Sequence, residues 1–371
     1  MTADGKPFGF VNAEEVTAFR TALASSLLIT RRHRVKTLLV FGVGKQAYWH
    51  VRLSLLIHGP SIKKVHFVNR EFSERGRNIL KKFIRFDEDQ KESEGWGGCQ
   101  FDLISQSYKE IDRILKDQMR AADIIFCTTP STAPLFDESI LTNTEGRKKG
   151  RLIVAVGSYK STMIEIPKEI IAQAVKRHGP GHHFHKHAEE GGVIVVDTLA
   201  CLTETGELAG LQPNQSVELG ELVMIEEMAP AAEHQPHILE GGEFTQSLEA
   251  LSFDPSKGSS MAQVMREDSM DSARSQSTTV LASSTNGSTT STGAGKPPSR
   301  TSSKSSRFRK RTGSSSSQKR QEDKDEHMGR WLSSGNVIYK SVGMGLMDLV
   351  VGGDLVKLAR ERNVGTTITD F

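Results

Sequence analysis

The chain has 371 residues, enough to bury one or two sizeable cores, and its formal net charge of +3 is too small to argue for nucleic acid as the principal partner. Its three cysteines, Cys99, Cys127 and Cys201, are scattered without a CxxC pair, which argues against a disulfide framework or a zinc knuckle and for small buried hydrophobes. No basic segment followed by an apolar stretch opens the chain, and no apolar run is long enough to cross a bilayer, so no membrane partner and a cytoplasmic location are expected.

In chain order, the first element is a helix carrying VTAFRTALASS, Val16 to Ser26. Short β-branched runs then recur between helical stretches: Thr37 to Phe41, Lys64 to Val68, Phe101 to Ser105, Ile124 to Thr128, Leu152 to Val156 and Val193 to Val196. Strands alternating with helices imply a parallel sheet with right-handed crossovers. TLLVFG, ADIIFCTT and RLIVAVG are apolar at consecutive positions, as strands covered on both faces require. The expected fold class is therefore α/β, a doubly wound parallel sheet.

The turn after the first strand carries chemistry. In TLLVFGVGKQAYWHV, Gly42, Gly44 and Ala47 stand between a strand and the opening of a helix. The first permits a tight turn, the second removes a side chain where a pyrophosphate must approach, and the small third residue lets helix and strand pack closely. The amides of Lys45, Gln46 and Ala47 would then meet phosphate at the positive end of the helix dipole. After the second strand stands Val68-Asn69-Arg70, where an NAD-preferring site usually offers Asp or Glu to the ribose. An Arg70 guanidinium can instead take a 2′-phosphate while Asn69 reaches the ribose, so NADP(H) is expected over NAD(H). The competing reading leaves Arg70 solvated and gives the ribose to Glu71.

Beyond about Met228 the composition changes. Residues 229–328 are Ser-rich with few large apolar side chains, most plainly from Phe253 to Gln318, and such a mixture cannot offset its conformational entropy, so a disordered insertion is expected. Within it, the basic stretch around Arg300 to Arg311 reads as a solvated linker, with nuclear import or phosphorylation-controlled docking as the competing readings. Apolar spacing returns near Trp331, where NVIYKSVGMGLMDLV suits a strand end followed by a helix that completes the fold over 329–371. The histidines of HGPGHHFHKHAEE (His178, His182, His183, His185 and His187) have no fixed ligand spacing, so a solvated loop is expected and no built metal site.

Several of these segments, in order, resemble the ornithine cyclodeaminase and mu-crystallin family: VTAFRTALASS, FGVGKQA, HFVNR, ADIIFCTTPSTAPLF, IVAVGSYKSTMIEIP, VIVVDTLACLTETGEL and VIYKSVGMGLMDL. The resemblance spans most of Val11 to Leu222 and Asn336 to the C-terminus. It implies that Thr128 and Thr129 lie beside the cofactor, that Val156, Gly157 and Ser158 lie near the nicotinamide, and that Ser341 closes the site. Arg20 resembles the arginine that holds a substrate carboxylate, a role suited to its forked donors. No catalytic residue is assigned.

Two departures from the family pattern shape the functional expectation. The ornithine-cyclizing members carry an Asp where this chain has Tyr159, and a phenol does not serve as a carboxylate near neutral pH. The resemblance therefore implies NADPH-dependent reduction of a C=N bond in a small cyclic or amino-acid-derived imine, as mu-crystallin-like ketimine reductases perform. A lyase or amino-acid dehydrogenase of the same family, and a non-catalytic NADP(H)-binding protein, are the alternatives. In relatives an N-terminal lobe with a substrate lysine and much of a homodimer interface precedes the AFRTA helix; residues 1–10 are expected to match only its last connecting strand, and a homodimer is an open expectation. Residues 1–30 are thus expected to be a remnant of that lobe and its connecting helix, residues 31–228 the dinucleotide-binding domain, and the partner an imino or amino acid.

Overall fold

The computed structural model describes residues 9–176, 191–228, 329 and 331–366. The histidine cluster His178 to His187 and the Ser-rich stretch with its basic segment lie outside the described residues. Among those described, eight strands form one sheet: β1 (Thr37–Phe41), β2 (Lys64–Asn69), β3 (Gln100–Ser105), β4 (Ile124–Cys127), β5 (Leu152–Ala155), β6 (Val193–Val196), β7 (Val217–Glu218) and β8 (Val337–Lys340). The order is β3-β2-β1-β4-β5-β8-β6-β7, and every pair is parallel. This is the doubly wound sheet expected from the alternation of apolar runs with helices.

The helices that cover it are α1 (Ala13–Ile29), α2 (Lys45–His58), α3 (Glu74–Ile84), α4 (Glu88–Ser93), α5 (Ile111–Ala121), α6 (Ser139–Thr142), α7 (Lys168–Ala174), α8 (Cys201–Glu204), α9 (Leu219–Met228) and α10 (Gly345–Glu361). Successive strand residues point to opposite faces, so each strand feeds two cores. Leu38 and Val40 join Ala24 and Leu28 of α1, Val51 and Leu55 of α2, and Phe83 of α3. Leu39 and Phe41 join Leu115 and Met119 of α5 and Ile170 and Ile171 of α7. Burial on both faces is why strands such as Ile124–Cys127 read as unbroken apolar runs.

β8 follows the Ser-rich stretch in sequence yet pairs with β5 on one side and β6 on the other, Val337 standing opposite both Leu152 and Val193. It carries Ile338 to one core and Tyr339 to the other. The two-residue β7 was not anticipated, because a strand that short leaves no alternation to read.

α1 begins at Asn12, whose side chain accepts the Glu14 amide at 3.0 Å. It packs on α2 with Phe19 edge-on to Trp49 (centroids 5.0 Å), and between the two helices His50 is fully buried, its ring bonded to Ser25 Oγ (2.9 Å) and the Gln46 carbonyl (2.8 Å). Burial pushes His50 down to about 4, so it is neutral near pH 7. No helix among the described residues is long and apolar enough to cross a membrane.

Candidate functional site

In a parallel sheet every strand ends at the same edge, and a crevice opens where neighbouring crossovers leave in opposite directions. Here that point lies between β1 and β4. Gly42, just past β1, has φ +112°, and a Cβ there would stand 2.5 Å from Thr128 Oγ1, so glycine is required by both conformation and space. Gly44 differs. It caps α2 at φ −89° and ψ −170°, an extended conformation open to any residue, and an added Cβ would meet no protein atom within 4 Å among the described residues.

Because a helix start has no intrahelical acceptors, the amides of Lys45, Gln46 and Ala47 are left facing outward from the end of α2. The Lys45 ammonium turns away to Glu14 and Glu15 of α1 (2.9 and 2.7 Å). Ala47 is fully buried against the strands. Thr129 Oγ1, in the turn after β4, is buried without a hydrogen-bond partner among the described residues, and so is Gln46 Oε1 in the first turn of α2, whose Nε2 reaches the Thr17 carbonyl of α1 at 3.5 Å. Orphaned polar atoms of this kind are rare in a folded protein and suit a polar ligand laid along α2 and the β4 turn. The arrangement therefore fits a dinucleotide.

At the end of β2, Asn69 Nδ2 donates to the Glu71 carbonyl (2.8 Å) and to Ser73 Oγ (3.0 Å), and Ser73 in turn caps α3 by accepting from the Gly76 main-chain amide. This sets the turn that presents Arg70, whose exposed guanidinium forms no ion pair among the described residues. Thr128 donates its hydroxyl to the Phe41 carbonyl at 2.7 Å, tying the β4 turn to β1.

The turns after β5 and β8 are held from beneath by buried charge. Val156 and Gly157 lead to Ser158, fully buried, whose hydroxyl donates to Glu207 Oε1 at 2.6 Å and accepts from Lys340 Nζ at 2.5 Å. Lys340 also pairs with Glu207 at 2.9 Å. The Ser341 hydroxyl turns inward to Asp197 at 2.7 Å, and the same carboxylate accepts Tyr339 OH and the amides of Val342 (3.1 Å) and Gly343 (2.8 Å). Both serines thus spend their hydroxyls within the protein. Burial raises the Tyr339 phenol well above its ordinary value, so it serves Asp197 as a donor.

Arg20 lies across the KSVG turn. Its Nε donates to Asp348 Oδ1 at 3.0 Å, its Nη1 lies 3.8 Å from Met347 Sδ, and its side chain is only 9% exposed. Gly343, at φ +90°, makes room for it: a Cβ there would stand 1.9 Å from Nη1. Tyr159, by contrast, is half exposed, with the Lys160 ammonium 5.6 Å from its ring.

The structure thus gathers the turns after β1, β2, β4, β5 and β8, with Arg20, along one sheet edge. Sequence reasoning missed Glu165, Glu207, Lys340 and Asp197. A signal was present: Lys340 interrupts the apolar VIYK, Glu165 sits between two isoleucines, and Asp197 closes VIVVD. A charge inside an apolar run marks a buried group that needs partners.

Fold and glycine turn together define an α/β protein of the Rossmann dinucleotide-binding architecture. No family model matches the chain. It is 28% identical over 243 residues to an uncharacterized protein of Saccharomyces cerevisiae, covering 59% of this chain and 60% of that protein. It is 27% identical over 209 residues to a delta(1)-pyrroline-2-carboxylate reductase of Bacillus cereus, covering 55% of this chain and 50% of the reductase. The structure of a probable ornithine cyclodeaminase from Bordetella pertussis Tohama I superposes with a TM-score of 0.51 at 18% identity, covering 99% of this chain and 73% of that one. The chain spans between one half and three fifths of the length of these two curated relatives. With the ordered motifs read above, the matches support placing it in the ornithine cyclodeaminase and mu-crystallin family.

Proposed function

We propose that the chain binds NADP(H) along the C-terminal edge of the sheet and reduces the C=N bond of a small cyclic or amino-acid-derived imine. The observation that carries the reading is Gly44: neither backbone conformation nor protein packing asks for a glycine there, whereas a pyrophosphate approaching the start of α2 does. In this reading the amides of Lys45, Gln46 and Ala47 hold the pyrophosphate, Asn69 and Arg70 the ribose and its 2′-phosphate, and Thr128 and Thr129 the central part of the dinucleotide. Val156, Gly157 and Ser158, with the Ser341 turn, border the nicotinamide. When bound, the reduced nicotinamide supplies a hydride.

The chain's own contribution is orientation. Arg20 is buried against Gly343 and engages Asp348 through Nε and Met347 Sδ through Nη1, which leaves Nη2 to take a substrate carboxylate. The match to a delta(1)-pyrroline-2-carboxylate reductase supports a cyclic imino acid as substrate class. Tyr159 in place of a carboxylate disfavours cyclodeamination of ornithine.

NADPH absorbance followed with a panel of cyclic imino acids tests the reading. Imine-dependent oxidation, however slow, that is lost when the substrate lacks its carboxylate is the expected result. Saturable NADPH binding without oxidation by any imine would replace reduction with a non-catalytic role, and ammonia release from ornithine or alanine would favour the lyase or dehydrogenase alternatives.

A further inference from the structure

Beneath the turns after β4 and β5 lies a carboxylate that solvent does not reach. Glu165, in the segment between β5 and α7, is fully buried. Its Oε1 accepts the Thr129 amide at 2.9 Å, and its Oε2 accepts the amides of Gly157 (2.7 Å) and Ser158 (2.9 Å). One side chain thereby fixes the turns of two adjacent strands. Its own main chain is fixed in turn: the Glu165 amide donates to Glu207 Oε2 at 2.8 Å, and its carbonyl accepts the Leu135 amide at 2.9 Å.

The fit leaves no slack. A Cβ on Gly157 would stand 2.3 Å from the Thr129 carbonyl and 2.5 Å from Glu165 Oε1, so the two turns and the carboxylate are in contact throughout. Facing Glu165 are Lys340 Nζ of β8 at 3.9 Å, Glu207 beyond α8, Ser158, Thr129 and the Cys127 thiol at the end of β4. Two carboxylates and one ammonium share this interior. Burying such a set is expensive, and apolar packing of similar volume would stabilise a sheet edge at least as well. Its place under these two turns, and not elsewhere on the sheet, points to a role in setting their geometry.

We propose that Glu165 is a positioning residue: through three main-chain hydrogen bonds it holds the turns after β4 and β5 in the arrangement that receives the nicotinamide half of the dinucleotide. The proposal rests on the dinucleotide reading above and adds to it a residue that does not touch the ligand. Ionised, the carboxylate accepts from all three amides; protonated, it has a donor where an acceptor is needed. Burial raises Glu165 to about 6, with Lys340 opposing the shift, so the clamp weakens as pH falls through that region. Stability runs the other way. A raised carboxylate contributes most below its ordinary pKa, and that contribution is lost as pH rises through about 6.

The test compares two ligands that differ only by nicotinamide, NADP+ and 2′-phospho-ADP-ribose, titrated calorimetrically against the full chain and against Glu165→Gln. At about pH 7.5, where the carboxylate is ionised, wild type is expected to hold NADP+ more tightly than the fragment, and the variant to lose about tenfold in NADP+ affinity with the fragment unchanged. Lowering wild type to about pH 5.5 is expected to shrink the same ratio, while the variant's ratio stays flat; this profile decides the matter if the variant does not fold. An unchanged ratio in the variant or a flat wild-type profile would overturn the proposal, and so would equal weakening of both ligands, the mark of a merely structural role. If neither ligand binds wild type, the dinucleotide reading itself fails, and this proposal with it.

Discussion

The two halves of the proposed dinucleotide crevice are built by different means. On the β1–β2 side, the turns are made from backbone and short local bonds: a left-handed Gly42, a helix start at Gly44, and an Asn69 amide closing its own turn onto Glu71 and Ser73. The side chain it presents, Arg70, is exposed. On the β4–β5–β8 side, the turns are pinned from below by buried carboxylates, Glu165 under two of them and Asp197 under the third. One side is written in local geometry and the other in long-range electrostatics. The first is therefore expected to tolerate substitution of its polar residues at little cost to the fold, and the second is not.

The sharpest way to break that comparison is a pair of truncations read by urea denaturation. Asp197→Ala leaves the Tyr339 and Ser341 hydroxyls and the Val342 and Gly343 amides without their shared acceptor, and is expected to lower the unfolding free energy by about 3 kcal/mol or more. Asn69→Ala, on the other side, removes two bonds at a solvated turn and is expected to cost less than about 1 kcal/mol. Equal losses would erase the distinction between the two halves.

Arg70→Ala is expected to act on ligand and leave the fold alone. Removing a charged partner of the 2′-phosphate is expected to weaken NADPH by about 1.5 to 3 kcal/mol and to leave NADH nearly unchanged. Nucleotide fluorescence titration reads this directly. A wild-type protein that binds both nucleotides equally well would assign the ribose to Glu71 and leave Arg70 a solvated charge.

The same contrast governs what could be read from the sequence. The apolar runs gave every strand except β7 because a parallel sheet buried on both faces demands continuous apolar residues. Gly42, Gly44 and Ala47 were legible because their requirements are local, confined to one strand, one turn and one helix start. The placement of β8 between β5 and β6 was not legible, since nothing in VIYK specifies its neighbours. Nor were the partners of Glu165. Its three donors come from residues 129, 157 and 158, and its counter-charge comes from Lys340, far along the chain. Each charge was visible as an interruption of an apolar run, but which interruptions meet is a property of the fold. Arg20 is an intermediate case: its spacing alone describes a charge on an amphipathic helix, and only the structure shows it seated against Gly343.

The central claim, that a dinucleotide occupies the start of α2, turns on Gly44 more than on any other residue. Its φ and ψ are open to a β-branched side chain, and an added Cβ meets no protein atom within 4 Å among the described residues, so Gly44→Val is expected to fold with a loss of about 1 kcal/mol from the poorer N-cap of α2. The same side chain would occupy the space a pyrophosphate needs. Calorimetric titration of NADPH into this variant, alongside its thermal midpoint, is the most direct measurement. A midpoint lowered by only a few degrees, with NADPH affinity reduced a hundredfold or more, about 2.7 kcal/mol, is the result predicted here. Undiminished NADPH binding by a well-folded Gly44→Val would contradict it.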